Sequence, residues 1–167
     1  ALKRGKKGGF QVLSKEETLH ADAVIICCGG MAGGKLGGTQ SGYDLLKSQG
    51  HTITKLFPAL VQVKTDTTFV KALKGVRADG SVLVERNGKI LAENAGEIQF
   101  TDFGISGPTV FEISRIISTG KAPLTVHLNL LRHLSHEEVV SLLQSRKKAM
   151  PHQSMENFLT GILHNRL

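Results

Sequence analysis

Two glycine-rich turns contain the residues of this sequence that are best suited to chemistry. The first begins with Gly29 and Gly30, directly after the apolar run at residues 23–28, and continues to Gly42 with seven glycines in fourteen residues. A glycine pair at the carboxyl end of a strand lets a ligand approach the backbone closely, and open α/β sheets bind ligands at that edge. Gly29 and Gly30 are therefore candidates for backbone contact with a dinucleotide, with an ordinary tight turn as the alternative.

The second turn occupies residues 101–108 and leads from a predicted strand into a predicted helix. The N-terminus of a helix attracts anions, so polar groups placed there are suited to hold a substrate or cofactor. Asp102 and Ser106, with the backbone of Gly107, are the candidates to face a substrate. The alternative is a sharp strand-to-helix turn in which Gly104 and Gly107 serve only the backbone conformation.

Cys27 and Cys28 are the only cysteines of the chain, and they are adjacent. This pattern excludes a disulfide framework and favours a reducing cytoplasm. Neighbouring residues of a strand point to opposite faces, and disulfide geometry disfavours a bond between them. We therefore predict buried small side chains rather than a redox pair.

The seven histidines form no zinc pattern, because His133 and His136 lack cysteine or carboxylate ligands at a suitable spacing. We therefore predict no metal site. The order of serines, histidines and acidic residues identifies no catalytic group, so the catalytic residue is unknown from the sequence.

The two turns require strands and helices that present them. Residues 10–13 alternate apolar and polar side chains, and residues 16–20 are suited to return as the second strand of a hairpin. The continuous apolar run at 23–28 predicts a strand buried on both faces of a parallel sheet. A short helix should begin at Ser41 and end before Gly50.

Residues 51–130 predict a mostly antiparallel sheet or small barrel, because short apolar runs alternate with turn signals. Turns are expected at residues 78–80 and at Asn87-Gly88, a pair that suits the positive φ of a tight hairpin. One helix is expected over residues 108–118, with Pro108 at its first position. The predicted strands are residues 53–56, 60–63, 82–84, 97–103 and 124–128.

From residue 134 onward the sequence predicts helices. Ser135 and Glu138 have the spacing of a capping box, and Pro151 should end the helix that they begin. Ser154 is placed to cap a second helix that carries Phe158.

The charge of this 167-residue chain lies at its two ends. The formal net charge is +7, from 21 basic and 14 acidic residues, while residues 8–140 are neutral. The composition is that of a globular protein, and we expect neither a membrane span nor a secretory signal. The basic residues at 3–7 and 146–148 are candidate phosphate contacts for RNA, although cations at 146–148 also suit the end of a helix.

Five blocks of sequence follow one another in a fixed order: GGTQSGY at 37–43, GHTI at 50–53, LFPALV at 56–61, GEIQFTDFGISGP at 96–108 and ENFL at 156–159. In this order they resemble the BaiN/YhiN-like flavoproteins, which are bacterial NAD(P)/FAD-dependent oxidoreductases with an inserted domain. The chain departs from the family pattern at Ser41, where the family has aspartate. It also has Cys27-Cys28 where related FAD domains have alanine and threonine.

The resemblance implies an α+β protein. Its first part is the edge of a Rossmann-type FAD-binding domain, made of a hairpin and a parallel strand. A β-rich, barrel-like inserted domain with a small helical subdomain follows. The implied boundaries are residues 1–50 for the FAD-binding segment, 51–130 for the β-rich insert and 131–167 for its helical part. FAD is the implied cofactor, contacted by the backbone of Gly29, Gly30 and Gly42, with NAD(P)H as an implied reductant.

The resemblance also implies that the chain is the middle of a longer flavin-dependent oxidoreductase. The Gly-x-Gly-x-x-Gly turn that holds the FAD pyrophosphate in such families does not occur in these 167 residues. The inserted domain would cover or select the substrate, and the fragment alone would be inactive. The alternative is a module that binds RNA, or another acidic partner, in a flavin-dependent enzyme that reduces uridine in RNA.

Overall fold

The computed structural model describes residues 1–6, 8–120 and 123–167 of the chain. These residues fall into two units, Ala1–Leu56 and Phe57–Leu167, and each unit is described by itself. The finer boundaries after residues 50 and 130 stay predictions from the sequence.

A three-stranded antiparallel sheet, called the small sheet below, begins the first unit. Its strands are β1 (Leu2–Arg4), β2 (Phe10–Leu13) and β3 (Thr18–Ala21), in that order across the sheet. The predicted hairpin is confirmed as β2 and β3, whereas β1 was read from the sequence only as a basic stretch. The Arg4 guanidinium lies 5.5 Å from the centre of the Phe10 ring, so part of the basic charge packs on the sheet as a cation–π contact.

The apolar run at residues 23–28 does not form a strand within the described structure, so that prediction is wrong. Val24 and Ile26 are half-buried, but the side chain of Ile25 is 87% exposed. A strand exists through the hydrogen bonds of its neighbours, and no described strand pairs with this run. The side chains of this run are therefore partly buried on one side only, the side of Val24 and Ile26.

The helix predicted at Ser41 is confirmed as α1 (Ser41–Ser48). Its end is closed by two backbone hydrogen bonds, from the N–H of Gly50 to the carbonyl of Lys47 and from the N–H of His51 to the carbonyl of Leu46. This is the pairing of a Schellman motif, which satisfies carbonyls that the helix leaves without partners.

A five-stranded antiparallel sheet, called the large sheet below, dominates the second unit. The strand order is β4-β7-β6-β5-β8, and every neighbouring pair is antiparallel. The strands are β4 (Val63–Lys64), β5 (Arg77–Arg86), β6 (Lys89–Thr101), β7 (Gly104–Ser106) and β8 (Thr125–Asn129).

The turn predicted at Asn87-Gly88 is confirmed between β5 and β6, with φ of 51° and 78° at its two central residues. The turn predicted at residues 78–80 is wrong, because β5 runs through it. Gly80 pairs with Gly96 on β6, and a Cβ atom built on Gly80 would lie 2.8 Å from the carbonyl oxygen of Asn129. This glycine therefore allows close approach of the last residue of β8 and does not form a turn.

Short strands predicted before β4 are not formed. The strand expected at residues 53–56 is absent from the described structure, and the one expected at 60–63 is reduced to its last residue, at the start of β4. Leu60 has a φ of 54°, which is incompatible with the extended backbone of a strand. The chain turns at this residue before it enters the large sheet.

The core of the second unit lies between the large sheet and the helix α3 (Pro108–Thr119), whose first residue is the predicted proline. Val82 and Val84 alternate with outward-facing residues along β5, as a strand with one buried face requires. The two edge strands, β4 and β8, both contribute to this same core. The buried apolar residues are Val63, Val76, Val82, Val84, Ile98, Phe100, Ile105, Val110 and Ile113.

The remaining helices are α2 (Thr67–Val70) and α4 (His136–Ala149). The predicted capping box at the start of α4 is confirmed: Ser135 Oγ accepts from the N–H of Glu138, and the Glu138 carboxylate accepts from the N–H of Ser135. These elements confirm the α+β class.

The second helix predicted from Ser154 is wrong. Only a 3₁₀ turn forms there, at Met155–Asn157. Ser154 Oγ accepts from the side-chain amide of Asn157 instead of a backbone N–H. The carbonyls of Phe158 and Thr160 accept from the Arg146 guanidinium, which holds this irregular segment against α4.

Gly104 provides a test of the contact between β4 and β7. A Cβ atom built on Gly104 would lie 2.0 Å from the carbonyl oxygen of Val63, so Gly104→Ala must push the two strands apart. We expect this variant to lower the free energy of unfolding by about 2–3 kcal/mol. Chemical denaturation followed by circular dichroism measures the change.

Gly88→Ala is the matched control. Gly88 has a φ of 78°, but a Cβ atom there meets nothing within 4 Å, so the cost is that of the left-handed backbone alone, about 1 kcal/mol. Equal losses in the two variants would contradict close packing at Gly104.

Candidate functional site

Gly29 is an open position at the start of the first glycine-rich turn. Its φ is 72°, and a Cβ atom built on it meets no atom within 4 Å. A residue in this conformation with free space beside it exposes its backbone to an approaching ligand. Of the three predicted cofactor glycines, Gly29 therefore has the geometry for backbone contact.

Gly30 and Gly42 lie against neighbouring side chains. A Cβ atom on Gly30 would lie 2.5 Å from the hydroxyl oxygen of Tyr43, and one on Gly42 would lie 2.7 Å from Cys28 Sγ. Gly42 is buried in the first turn of α1. The absence of side chains at these two positions lets α1 lie close to the end of the apolar run.

Cys27 and Cys28 are both free thiols and both exposed. The prediction that they are buried is therefore wrong, and the reason is the missing strand pairing of residues 23–28. Cys28 still directs its sulfur toward Gly42, so one of the two cysteines fixes the spacing between the apolar run and α1.

Polar side chains surround the start of α1. Thr39 Oγ1 lies 2.8 Å from Ser41 Oγ and also accepts from the N–H of Ser41 at 3.4 Å. The Gln40 side chain reaches Asp44 at 3.5 Å rather than capping the helix. These contacts hold the last part of the glycine-rich turn against α1.

The second predicted turn separates into two parts with different exposure. Asp102 lies at the exposed tip of the β6–β7 hairpin, where Thr101 pairs with Gly104. Its carboxylate accepts from Lys74 Nζ at 2.9 Å. This hydrogen bond, with the charges of Lys74 and Lys71 adding to it, holds the pKa of Asp102 below its usual range.

Ser106 and Gly107 lie at the other end of β7, and both are buried. The carbonyl of Gly107 accepts from the N–H groups of Val110 and Phe111, so this residue begins α3. A Cβ atom on Gly107 would lie 2.7 Å from the carbonyl oxygen of Glu97 on β6. Ser106 and Gly107 are thus buried at the start of α3, whereas Asp102 is exposed at the opposite end of β7.

A charged cluster around Asp79 was missed by the sequence reasoning. Arg132 holds the Asp79 carboxylate with two hydrogen bonds, from Nε at 2.7 Å and from NH2 at 2.9 Å, and His133 Nε2 lies 2.9 Å from the same carboxylate. The hydrogen bond from Arg132, supported by His133, lowers the pKa of Asp79. Asp79 precedes Arg132 by 53 residues, so no local spacing in the sequence indicates their pairing.

Within residues 1–6, 8–120 and 123–167, no group of three or more histidine, cysteine, aspartate or glutamate side chains is arranged to hold a metal ion. None of the helices in these ranges has the length and apolar character needed to cross a membrane.

Comparison with protein families identifies the second unit. Residues 57–167, two thirds of the chain, match the family described as the HI0933-like protein barrel and H2TH domain. The chain belongs to the HI0933-like family. The large sheet and α4 both lie within the matched residues of this HI0933-like domain, so the predicted barrel-like insert is confirmed.

A curated relative supports the same assignment over the whole chain. The 3-dehydro-bile acid delta(4,6)-reductase of Clostridium scindens is 39% identical over 171 residues. The alignment covers all of this HI0933-like chain but only 41% of that protein. The resemblance to BaiN/YhiN-like flavoproteins is thereby confirmed, and the chain spans less than half the length of this curated relative.

The Asp79 cluster of the HI0933-like domain predicts a pH dependence of stability. A carboxylate whose pKa is lower in the folded than in the unfolded state stabilises the fold above the unfolded pKa, about 3.9 for aspartate. That contribution is lost as the pH falls through the folded pKa. We expect the difference in free energy of unfolding between wild type and Asp79→Asn to shrink below about pH 4.

Glu93→Gln is the control for this measurement, because Glu93 is an exposed carboxylate on β6. Denaturant titrations across the acid range should show little change between Glu93→Gln and wild type. A difference for Asp79→Asn that stays constant from neutral pH to pH below 4 would contradict the proposed role of the Asp79 charge.

Proposed function

We propose that this chain is part of a flavin-dependent oxidoreductase that works in the reductive direction. The observation that carries the proposal is the 39% identity, over the entire chain, to a protein named as a reductase. Membership of the HI0933-like family, recognised independently through residues 57–167, supports the same conclusion. We also propose that the enzyme is cytoplasmic, because the chain has only two, adjacent cysteines and no disulfide framework.

Among the three predicted cofactor glycines, Gly29 is the one whose surroundings fit a bound FAD. Gly29 presents its backbone to open space, which suits close approach by a cofactor. We retain Gly30 and Gly42 as cofactor glycines, with the role of setting the turn against Tyr43 and Cys28 so that Gly29 is presented. A bound flavin supplies electron and hydride transfer, and NAD(P)H is the proposed reductant.

The second unit is proposed to cover or select the substrate. Asp102 is the member of the predicted substrate-facing set that lies on the surface, paired with Lys74. Its carboxylate stays ionised near neutral pH, because the lowered pKa of Asp102 lies in the acid range. Ser106 and Gly107 would act indirectly, by fixing the start of α3 and the hairpin that carries Asp102.

RNA binding by the basic residues is not favoured. Among the candidate phosphate contacts, the Arg146 guanidinium donates to the carbonyls of Phe158 and Thr160, and the Arg4 guanidinium packs on an aromatic ring. These two side chains therefore already have contacts within the fold, and Lys7 lies outside the described residues. The family and the curated relative point to reduction by a flavoprotein instead.

The chain alone is expected to bind FAD weakly. The apolar run before Gly29 lacks paired strands, and Ile25 is exposed, so the turn that would meet the cofactor is not held by a sheet on both sides. Titration of the 167-residue chain with FAD, followed by flavin fluorescence, should show no saturation at micromolar concentrations. Purification of the chain in yellow form with one flavin per molecule would contradict this expectation.

Gly29→Ala tests the cofactor contact in the protein encoded by the complete reading frame. We expect that protein to carry flavin, and Gly29→Ala to lower the flavin bound per molecule several-fold because the new methyl group occupies the open space beside the turn. Absorbance at the flavin bands gives the ratio of cofactor to protein.

Gly88→Ala serves as the control, since Gly88 shares the left-handed backbone and the open surroundings but lies in the other unit. Its flavin content should match that of wild type. A colourless wild-type protein would refute the proposed function, whereas equal flavin content in both variants would refute only the role of Gly29.

A further inference from the structure

A pocket of about 370 Å³ lies in the second unit, and no residue of either glycine-rich turn lines it. The start of β5, the loop between β8 and α4, and the last residues of the chain form its walls. Its volume is within the range of pockets that bind small molecules. Apolar side chains form much of the wall, among them Leu131, Leu134, Ile162 and Leu167.

The one carboxylate in the wall of this pocket is already neutralised. Asp79 accepts two hydrogen bonds from Arg132 and a third from His133, so both of its oxygens have partners. An anion that enters the pocket therefore meets an ion pair rather than a free negative charge.

Two polar groups of the wall remain able to donate hydrogen bonds to a ligand. His164 Nδ1 accepts from the N–H of Arg166 at 3.2 Å, so a neutral His164 ring carries its proton on Nε2. The side chain of Arg77 is 63% exposed, and its guanidinium lies 3.4 Å from the Glu97 carboxylate. A second, shallower pocket is lined by Arg77, Asp79 and Glu97. Arg77 therefore borders both pockets.

We propose that this pocket binds a small amphipathic anion, a monocarboxylate with an apolar body. Arg77 and the Nε2–H of His164 receive the carboxylate, and the leucine and isoleucine side chains receive the apolar part. A single negative charge fits best, because Arg77 is the one arginine or lysine among the residues that line the pocket, and Glu97 lies beside it. The site lies wholly in the second unit, so binding there does not depend on the flavin proposal.

Calorimetric titration of the 167-residue chain with octanoate tests this proposal, with 1-octanol and acetate as the comparison ligands. Octanoate should bind with saturation below the millimolar range, more tightly than 1-octanol, and acetate should not bind measurably. Equal affinities for octanoate and 1-octanol, or no saturable binding of octanoate, would overturn the proposal.

Variants locate the binding within the pocket. Arg77→Gln should weaken octanoate binding about fivefold and leave 1-octanol unchanged, because only the charged contact is removed. Ile162→Ala should weaken both ligands, because it removes apolar wall common to both.

Lys89→Gln is the matched control. It removes the same charge at the opposite end of the β5–β6 hairpin, where Lys89 pairs with Arg86 in the sheet. Circular dichroism should show that all three variants keep the wild-type fold. If Lys89→Gln weakens octanoate as much as Arg77→Gln, the effect is one of net charge and the assigned site is wrong.

Discussion

The burial of α3 against the inner face of the large sheet is the interaction on which the second unit depends. Val82 and Val84 of β5 meet Val110 and Ile113 of α3 in one core, to which every strand of the large sheet contributes. Burying one such side chain contributes about 1.5–3 kcal/mol. Loss of this contact would expose the inner face of the large sheet, which includes the β6–β7 hairpin that carries Asp102.

Close approach of backbone to backbone gives several glycines of this core a structural role. Gly104 lies against β4, Gly107 lies against β6, and Gly80 lies against the end of β8. A methyl group at any of these positions would collide with a main-chain oxygen, which cannot rotate away as a flexible side chain can. A glycine at position 107, which the sequence made a candidate for ligand contact, is therefore also required by the close packing against β6.

The basic residues divide into those that complete the fold and those that remain free to bind. Arg146 and Arg166 satisfy backbone carbonyls that secondary structure leaves unpaired, and Arg132 neutralises Asp79. Arg77 makes only a long, exposed contact with Glu97. A net charge alone therefore says little about partners, because the position of each cation decides whether it is already occupied.

Features that depend on a few neighbouring residues could be predicted from the amino-acid sequence. The capping box at Ser135, the start of α3 at Pro108 and the hairpin at Asn87-Gly88 follow from local hydrogen bonding and allowed backbone angles. The five ordered sequence blocks also indicated the family, because a resemblance to a known family does not require the tertiary contacts to be predicted.

Tertiary structure alone decided the features that depend on distant partners. The run at residues 23–28 has the composition of a buried strand, but a strand needs neighbours, and the described chain supplies none. Asp79 could be paired with Arg132 and His133 only once β5 and the loop after β8 lay side by side. Local sequence fixes which conformations a segment can adopt, whereas its contacts depend on which other segments the fold brings beside it.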